Sequence, residues 1–600
     1  MSSILEKLNL LGFLVRSGAS VVRESDGTFR LSTWLFSSLF SAGPRATIRE
    51  LVARAAYARR EDPALYSDWV SRGEPSRAVV VSGGSLEGSS EVFASRNTDL
   101  LLFLPRVETG LVLNILRSIE NDQRINCIYL ISDVTSEIVI SRGDHDFDFT
   151  VECMAITEVP DNAKLLASRS VAARNFILMH SPGNLDSRFL AACQQLHSNK
   201  VDAVFCDHDQ LRENIRCKPV FKSGYSEALL WDPAYIPVGS VTATVFNSAL
   251  EASTFDDGRG AQAKGFELIV RCFSASTKVT HLPGVHFHLA LPCPPWSNLV
   301  EDYKAAKSVP VIDLTRSGSF FPEHYVVPDS PFKTSIVIPT RDRFDLLAKC
   351  INSILEYPPA GEFEILILDN QSCEPATLEG LATYARMEGL KVLACDYDFN
   401  WARLTNDGIR ASTGDVIVLL NNDTVVLTQD WCDRLAWLAL EDGAGTVGAL
   451  LLYPGGAIQH AGVVAGYGGY ADHIYIGEAI SHRPDEMFVS PLVRRDVLAC
   501  TGACLAFSRK TFELVGEFDE SLIVVGDVDF CLRSYEAGLR NIYDPSIRLT
   551  HEESKTRIKG LPRGDRDILK TRLARFIEQG DPFYNPNLSL STRSPMPVLW

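Results

Sequence analysis

The feature that most restricts the fold of this chain is an internal repeat. LFLPRVETGLVLNILRSI (Leu102–Ile119) and IVIPTRDRFDLLAKCINSI (Ile336–Ile354) share one layout: an apolar run, a proline, a polar loop and an amphipathic helix pattern. Each leads to a second apolar run ending in an aspartate, YLISDVTS at Asp133 and LILDNQS at Asp369, which lie 28 and 30 residues beyond Pro105 and Pro339. FILMHSP (Phe176–Pro182) then takes the place of VLLNNDT (Val418–Thr424), and KGFELIVRC (Lys264–Cys272) that of GDVDFCLRS (Gly526–Ser534). One such match says little, but four in the same order read as two diverged copies of a domain. Short apolar runs alternating with helical stretches predict an α/β layer architecture in both.

Six hundred residues exceed what one hydrophobic core holds and require several domains. The expected division is a helical N-terminal region (1–84, with its clearest helical pattern at Ala46–Asp62), the first copy (85–330), the second copy (331–558), and a basic helix with an extended tail (559–600). A net charge of −17 argues against a general nucleic-acid binder. Fourteen cysteines occur without a Cys-x-x-Cys pair, which fits reduced thiols in a cytoplasmic protein rather than a disulfide framework or a thiolate zinc site. MSSILEKLNLLGFLVRS lacks the pattern of a secretory signal, and nowhere do about twenty apolar residues run together. Any membrane contact is therefore expected to be peripheral.

The chemistry concentrates in the second copy. Strand ends of an open, mostly parallel sheet converge on the crevice where such folds bind ligands. Asp369 lies at one such end, with turn capping through Asn370 or Ser372 as the competing reading. In VIVLLNNDTVV (Val416–Val426) a buried run stops in Asn421, Asn422 and Asp423, and a buried acid there must be paired or metal-bound. Oxygen ligands of this kind suit Mg or Mn, with a diphosphate completing the coordination. Asp527 and Asp529 open a predicted helix; Asp529 with Arg533 one turn on reads as a brace that leaves Asp527 for the cleft, and the reverse assignment stays open. His551 ends another apolar stretch and is a candidate partner for Asp423. His460 and His473, in a glycine-rich stretch, either touch substrate or pack in a turn, and Trp401 and Arg403 present the same choice.

SIVIPTRDR, ILDNQS, FNWARLTNDGIRASTGD, LLNNDT, LLYPGGAIQHAGVV, TGACLAFSR, FDE, GDVDFCLR, HEESKTR and DPFYNPNLS resemble, in order, the phrases of family 2 inverting glycosyltransferases of the GT-A fold. The likeness points in particular to large bacterial two-domain members of the rhamnosyltransferase-like, polysaccharide-biosynthesis type, strongly over Ser335–Ser589 and weakly over Ala46–Ala290. It implies two GT-A-like domains in tandem between a helical cap and a helical tail. It also implies transfer of a hexose or deoxyhexose from a dTDP-, UDP- or GDP-linked donor to a glycan or polyprenyl-diphosphate-linked acceptor, as in O-antigen synthesis. Residue by residue, Asp369 would contact the base, with Pro339, Thr340, Arg341 and Arg343 packing against base and ribose. Asn422 and Asp423 would form the DxD-type element, whose first acid is replaced by Asn421. Asp423 and His551 would bind Mg or Mn, and Gly502 would lie against donor or acceptor. Asp527 would be the general base, with Gly526 where the family often has glutamate.

In the first copy His180-Ser181-Pro182 replaces the acid phrase and Gly265 falls opposite Asp527, so this copy is expected to be noncatalytic. Asp133 would be a nucleotide-binding remnant, while the histidines of HLPGVHFH (His281–His288) and the metal-like FCDHD (Phe205–Asp209) are expected to be structural. The basic tail faces acceptor diphosphate, anionic lipid or plain solvent. Competing overall readings are a noncatalytic glycan-binding or scaffolding protein and a GT-A-like nucleotidyltransferase.

Overall fold

The computed structural model describes residues 63–71, 98–104, 109–119, 122–133, 150–155, 175–251 (except 214 and 233), 260–290, 328, and 330–598 except 481–486 and 553–561. The helix expected at Ala46–Asp62 and the AVVVSG run lie outside these residues; within the N-terminal region a helix spans Pro63–Ser71.

The strands are β1 (Thr98–Leu104), β2 (Ile125–Ser132), β3 (Thr150–Ala155), β4 (Asn175–Met179), β5 (Gly183–Leu185), β6 (Ala203–Arg212), β7 (Ile215–Val220), β8 (Val238–Thr242) and β9 (Val279–Leu289) in the first unit. In the second they are β10 (Lys333–Thr340), β11 (Glu362–Asp369), β12 (Leu390–Ala394), β13 (Val416–Leu420), β14 (Thr424–Val426), β15 (Ala444–Leu452), β16 (Ile458–His460), β17 (Val463–Ala465), β18 (Ala471–His473), β19 (Arg495–Asp496), β20 (Cys504–Ser508) and β21 (Arg540–His551).

The repeat is visible in the hydrogen bonding. One sheet runs β3-β2-β1-β4-β8-β6-β9-β5 and the other β12-β11-β10-β13-β20-β15-β21-β14, with β7 on β6 matching β16 on β15. Strand directions correspond throughout: β4–β8 and β13–β20 are antiparallel, β6–β9 and β15–β21 parallel. The chain therefore contains two separate sheet-and-helix units of one topology.

Central strands are buried on both faces, which explains why they read as unbroken apolar runs rather than alternating ones. β13 is fully buried along VIVLL and pairs with β10 on one side and β20 on the other. Asn400 accepts from the Arg403 amide to start the helix Trp401–Ala411, and Ser508 accepts from the Thr511 amide to start Arg509–Val515.

The two units share packing. Tyr66, Trp69, Phe221 and Val285 belong to the same apolar cluster as Leu450, Tyr543 and Tyr584 of the second unit. The Phe221 amide donates to the Met487 carbonyl (2.8 Å) and the Asp496 amide to the Ser226 hydroxyl (2.9 Å).

The tail crosses between them. The helix Arg563–Gln579 sits over the second unit, where Asp565 accepts from the Ile523 and Val524 amides at 3.0 and 2.8 Å. Beyond it Asp581 accepts from the Ala465 amide, and Asn585 donates to both oxygens of Asp207 in the first unit (3.0 and 2.9 Å). The DPFYNPNLS segment is ordered but built from turns, not extended as the sequence suggested, because its polar side chains dock into both units at successive bends. Part of the tail's basic charge is used internally: Arg572 lies 3.3 Å from Asp529 and Arg575 3.7 Å from Glu536. Among the described residues, no helix is long and apolar enough to cross a membrane.

Candidate active site

The carboxyl ends of β10, β11 and β13 open on one edge of the second sheet. Two loops there are locked together. After Pro339 and Thr340, Asp342 and Arg343 both take left-handed backbone angles (φ 51° and 52°). Asp342 accepts from the Cys373 and Glu374 amides (2.7 and 2.8 Å), and the Arg343 amide donates to Glu374. Such angles are strained for residues with a Cβ and persist only where neighbours over-determine them. Thr340 is buried and Arg341 exposed; Arg343 holds Asp345 at 2.9 Å. Asp369 is partly exposed and accepts from the Ser372 amide at 3.1 Å, so the turn-capping contact exists at the residue expected to meet the base.

At the end of β13, Asn422 donates to the Thr340 hydroxyl (2.8 Å), tying the amide-acid segment to the first loop. Asp423 is 4 % exposed, and its Oδ1 lies 3.1 Å from Nε2 of His551, which is brought opposite by the pairing of Thr424 with His551. The Asn421 amide nitrogen approaches the same Nε2 at 3.2 Å. Asn421 thus stands on His551 rather than supplying a second acid. Sequence reasoning missed Gln459, whose Oε1 lies 2.7 Å from His551 Nδ1; the signal was its place beside His460 in IQHAG.

Asp527 opens the helix Gly526–Glu536 and is partly exposed at the same edge. Its oxygens accept from the Gly502 amide (2.7 Å) and the Val528 amide (2.9 Å). Trp401 packs on Gly502, where a Cβ would come within 2.4 Å of the indole, and a Cβ at Gly526 would meet it at 3.4 Å. The indole therefore borders the position at which a glutamate side chain would have begun. Asp529 is fully buried and held by Arg533 at 2.9 Å, the brace read from the spacing. Arg403 stacks on Tyr397, 3.8 Å from the ring centre.

His460 and His473 meet through their Nδ1 atoms at 3.1 Å. Burial pushes both below the ordinary histidine range; the charges of His473, Arg495 and His551 add to that for His460, while Asp472 and Asp527 oppose it for His473. Both are thus packed, His460 against the Tyr543 ring and His473 against the Gln459 carbonyl.

One carboxylate oxygen and one imidazole nitrogen converge, and both are donor types that Mg or Mn accepts beside phosphate oxygens. Among the described residues no group of three or more His, Cys, Asp and Glu converges, so these residues supply at most a partial shell.

The first unit shows what replaces these groups. Pairing of Gly183 with Leu289 matches that of Thr424 with His551, and the amide of Ala290 donates to the Pro182 carbonyl as that of Glu552 does to Asp423. Pro182 and Leu289 therefore occupy the places of Asp423 and His551. A Cβ on Gly265 would lie 2.5 Å from the Phe103 ring, so the position matched to Asp527 has no room for a carboxylate. Asp133 is corrected from a nucleotide remnant to a helix cap: it accepts from the Ala261 amide at the start of Ala261–Ser274. In the strand register Ser132, not Asp133, stands opposite Leu104 as Asp369 does opposite Thr340. The FCDHD acids are structural: Asp207 binds His281, Gly284 and Asn585, and Asp209 binds Tyr66, Arg216 and His288.

Residues 335–513 match the family model described as Glycosyl transferase family 2. The chain is 33% identical over 448 residues to the uncharacterized protein y4gI of Sinorhizobium fredii, covering 68% of this chain and 47% of that protein. It is 30% identical over 410 residues to the O-antigen biosynthesis protein RfbC of Myxococcus xanthus, covering 65% of this chain and 31% of that one. The chain thus spans less than half the length of these two relatives. Among solved structures it is similar to GalNAc-T7 with UDP, GalNAc and Mn2+ (16% identity, 37% of this chain and 44% of that one, TM-score 0.32). It is also similar to the Pyrobaculum calidifontis mannosyltransferase PcManGT in complex with GDP-Man and Mn2+ (15% identity, 46% and 82% of the chains, TM-score 0.30). Residues 335–513 of the second unit thus carry the likeness to glycosyl transferase family 2, and the two sheet-and-helix units are consistent with tandem GT-A-like domains.

Proposed function

We propose that the second unit transfers a hexose or deoxyhexose from a nucleotide diphosphate sugar to a hydroxyl of a glycan or lipid-linked glycan, with inversion at the anomeric carbon. The observation that carries this reading is the convergence of Asp423 and His551 at 3.1 Å on the sheet edge that also presents Asp527. On this reading Asp527 accepts the proton of the attacking hydroxyl; its two backbone donors hold the carboxylate while each oxygen keeps a lone pair. The locked Pro339–Arg343 and Asp369–Glu374 loops receive the nucleotide. Asp423 and His551 would hold Mg or Mn, whose charge would offset that gathering on the departing diphosphate. Trp401 and Gly502 form the wall against which donor sugar or acceptor lies.

The first unit, with Pro182, Leu289 and Gly265 at the three positions, acts as a noncatalytic brace or acceptor-holding domain. Domain limits at 84, 330 and 558 and work at the cytoplasmic face of a bacterial membrane in surface polysaccharide synthesis belong to the same proposal; the likeness to an O-antigen biosynthesis protein supports it. The test is transfer from a panel of dTDP-, UDP- and GDP-sugars, dTDP-rhamnose included, with Mg or Mn. Asp527→Asn is expected to lower transfer by about 10³-fold while sparing nucleotide binding. Undiminished transfer by the variant would remove Asp527 from the role.

A further inference from the structure

Gln459 is 6 % exposed and its side-chain amide makes two contacts with one residue. Its Nε2 donates to the backbone carbonyl of His551 at 3.3 Å, and its Oε1 lies 2.7 Å from Nδ1 of the same histidine. The opposite amide orientation would set oxygen against the His551 carbonyl oxygen, and the carbonyl can only accept. The orientation is therefore fixed by the backbone, and the oxygen that faces Nδ1 demands that Nδ1 carry the proton. In the neutral ring Nε2 then keeps its lone pair, which faces Asp423 Oδ1 3.1 Å away and the Asn421 amide at 3.2 Å. A histidine that binds a metal through one nitrogen and donates from the other is oriented in this way by a neighbouring acceptor.

We infer that Gln459 is a positioning residue that fixes the tautomer of His551 and so sets the affinity of the Asp423–His551 pair for a divalent cation. This rests on the proposed role of His551 as a cation ligand and adds a residue to it. β16 carries Gln459 beside β15, at the register shift between the His460 and Ile458 pairs, a bulge of the kind that re-aims a side chain. The same residue's carbonyl accepts from His473 Nδ1 at 3.3 Å, which couples its placement to the His460–His473 pair. In the first unit His208 pairs with Val220 where Leu451 pairs with His460, and neither the ligand nor its orienter is present.

The experiment uses the full chain and Mn2+ with inorganic pyrophosphate as the probe, followed by electron paramagnetic resonance, alongside long-range 1H–15N spectra of the His551 ring. The wild type is expected to show the Nδ1–H tautomer. Gln459→Ala should redistribute the tautomers and weaken Mn2+ binding by about 10-fold or more. Gln459→Glu still accepts from Nδ1–H but loses the donor to the His551 carbonyl, so it should keep the tautomer and bind Mn2+ with an affinity between those of the wild type and Gln459→Ala. In a His551→Ala background the Gln459 substitution should have no further effect. Wild-type spectra showing Nε2–H, or unchanged Mn2+ affinity in Gln459→Ala when His551→Ala weakens it, would overturn the inference. Unchanged affinity in His551→Ala itself would instead sink the ligand role of His551 on which the inference rests. Were Gln459→Ala to fail to fold, the wild-type tautomer and the Glu variant would still decide.

Discussion

The two units keep the same scaffold and differ in what the scaffold presents. Each has the same eight-strand path, and each has a buried acid braced by an arginine four residues on: Glu267 with Arg271 at 2.7 Å, Asp529 with Arg533 at 2.9 Å. What differs is a set of three positions, Pro182, Leu289 and Gly265 against Asp423, His551 and Asp527. The brace persists in both because an unpaired buried carboxylate destabilises the helix that holds it, whatever that helix does. At the matching positions the first unit carries packing residues instead: Leu289 joins its apolar core, and Gly265 leaves space for the Phe103 ring.

The comparison can be broken by moving residues across it. His551→Leu imports the first unit's residue into the second and is expected to lower metal-dependent transfer by about 10²–10³-fold, equivalent to roughly 3–4 kcal/mol of barrier, with the fold retained by circular dichroism. A variant as active as the parent would remove the distinction between the units. Removing the brace should act on both alike: Arg271→Ala and Arg533→Ala should each destabilise by about 2 kcal/mol in urea unfolding. This is below the value for a fully uncompensated buried charge, because Glu267 keeps Lys264 at 3.7 Å and Asp529 keeps Arg572 at 3.3 Å. Only the second should also reduce transfer; equal activity in the two variants would separate the helix brace from Asp527. Gly265→Ala pushes a methyl group against Phe103 and should destabilise by about 1–2 kcal/mol, measured in the same way, without creating activity.

The smallest expected effect concerns the tail. Burial pushes Asp581 up to about 7. Its unfolded value is near 3.9, so the folded state holds the proton more tightly and stability from this group is greatest below about pH 4. That stability is lost as pH rises towards 7, with a slope of at most about 1.4 kcal/mol per pH unit. Asp581→Asn should flatten the stability profile between pH 4 and 7; an unchanged slope would show that the group does not titrate there.

Much of the architecture was legible because duplicated apolar runs carry strand order with them, and the spacing of Asp529 and Arg533 alone predicted their contact. Asp423 and His551 drew attention because polar residues ending buried strands stand out against the apolar texture, and the fold sets them side by side. Other features needed the third dimension. Gln459 lies 92 residues before His551 and is an ordinary amide in the sequence. The Phe103 ring under Gly265 and the Trp401 indole beside Gly526 are contacts between distant segments, and no local pattern announces them. Asp133 misled because an acid after an apolar run looks the same whether it caps a helix or meets a ligand. The tail was read as extended because prolines and asparagines suit that as well as turns.

The path of those last residues changes what a small lesion would do. Removing residues 581–600 would strip Asp581 from β17 of one unit and Asn585 from Asp207 of the other. This short segment is thus a joint between the two units, and damage to it would be felt in both.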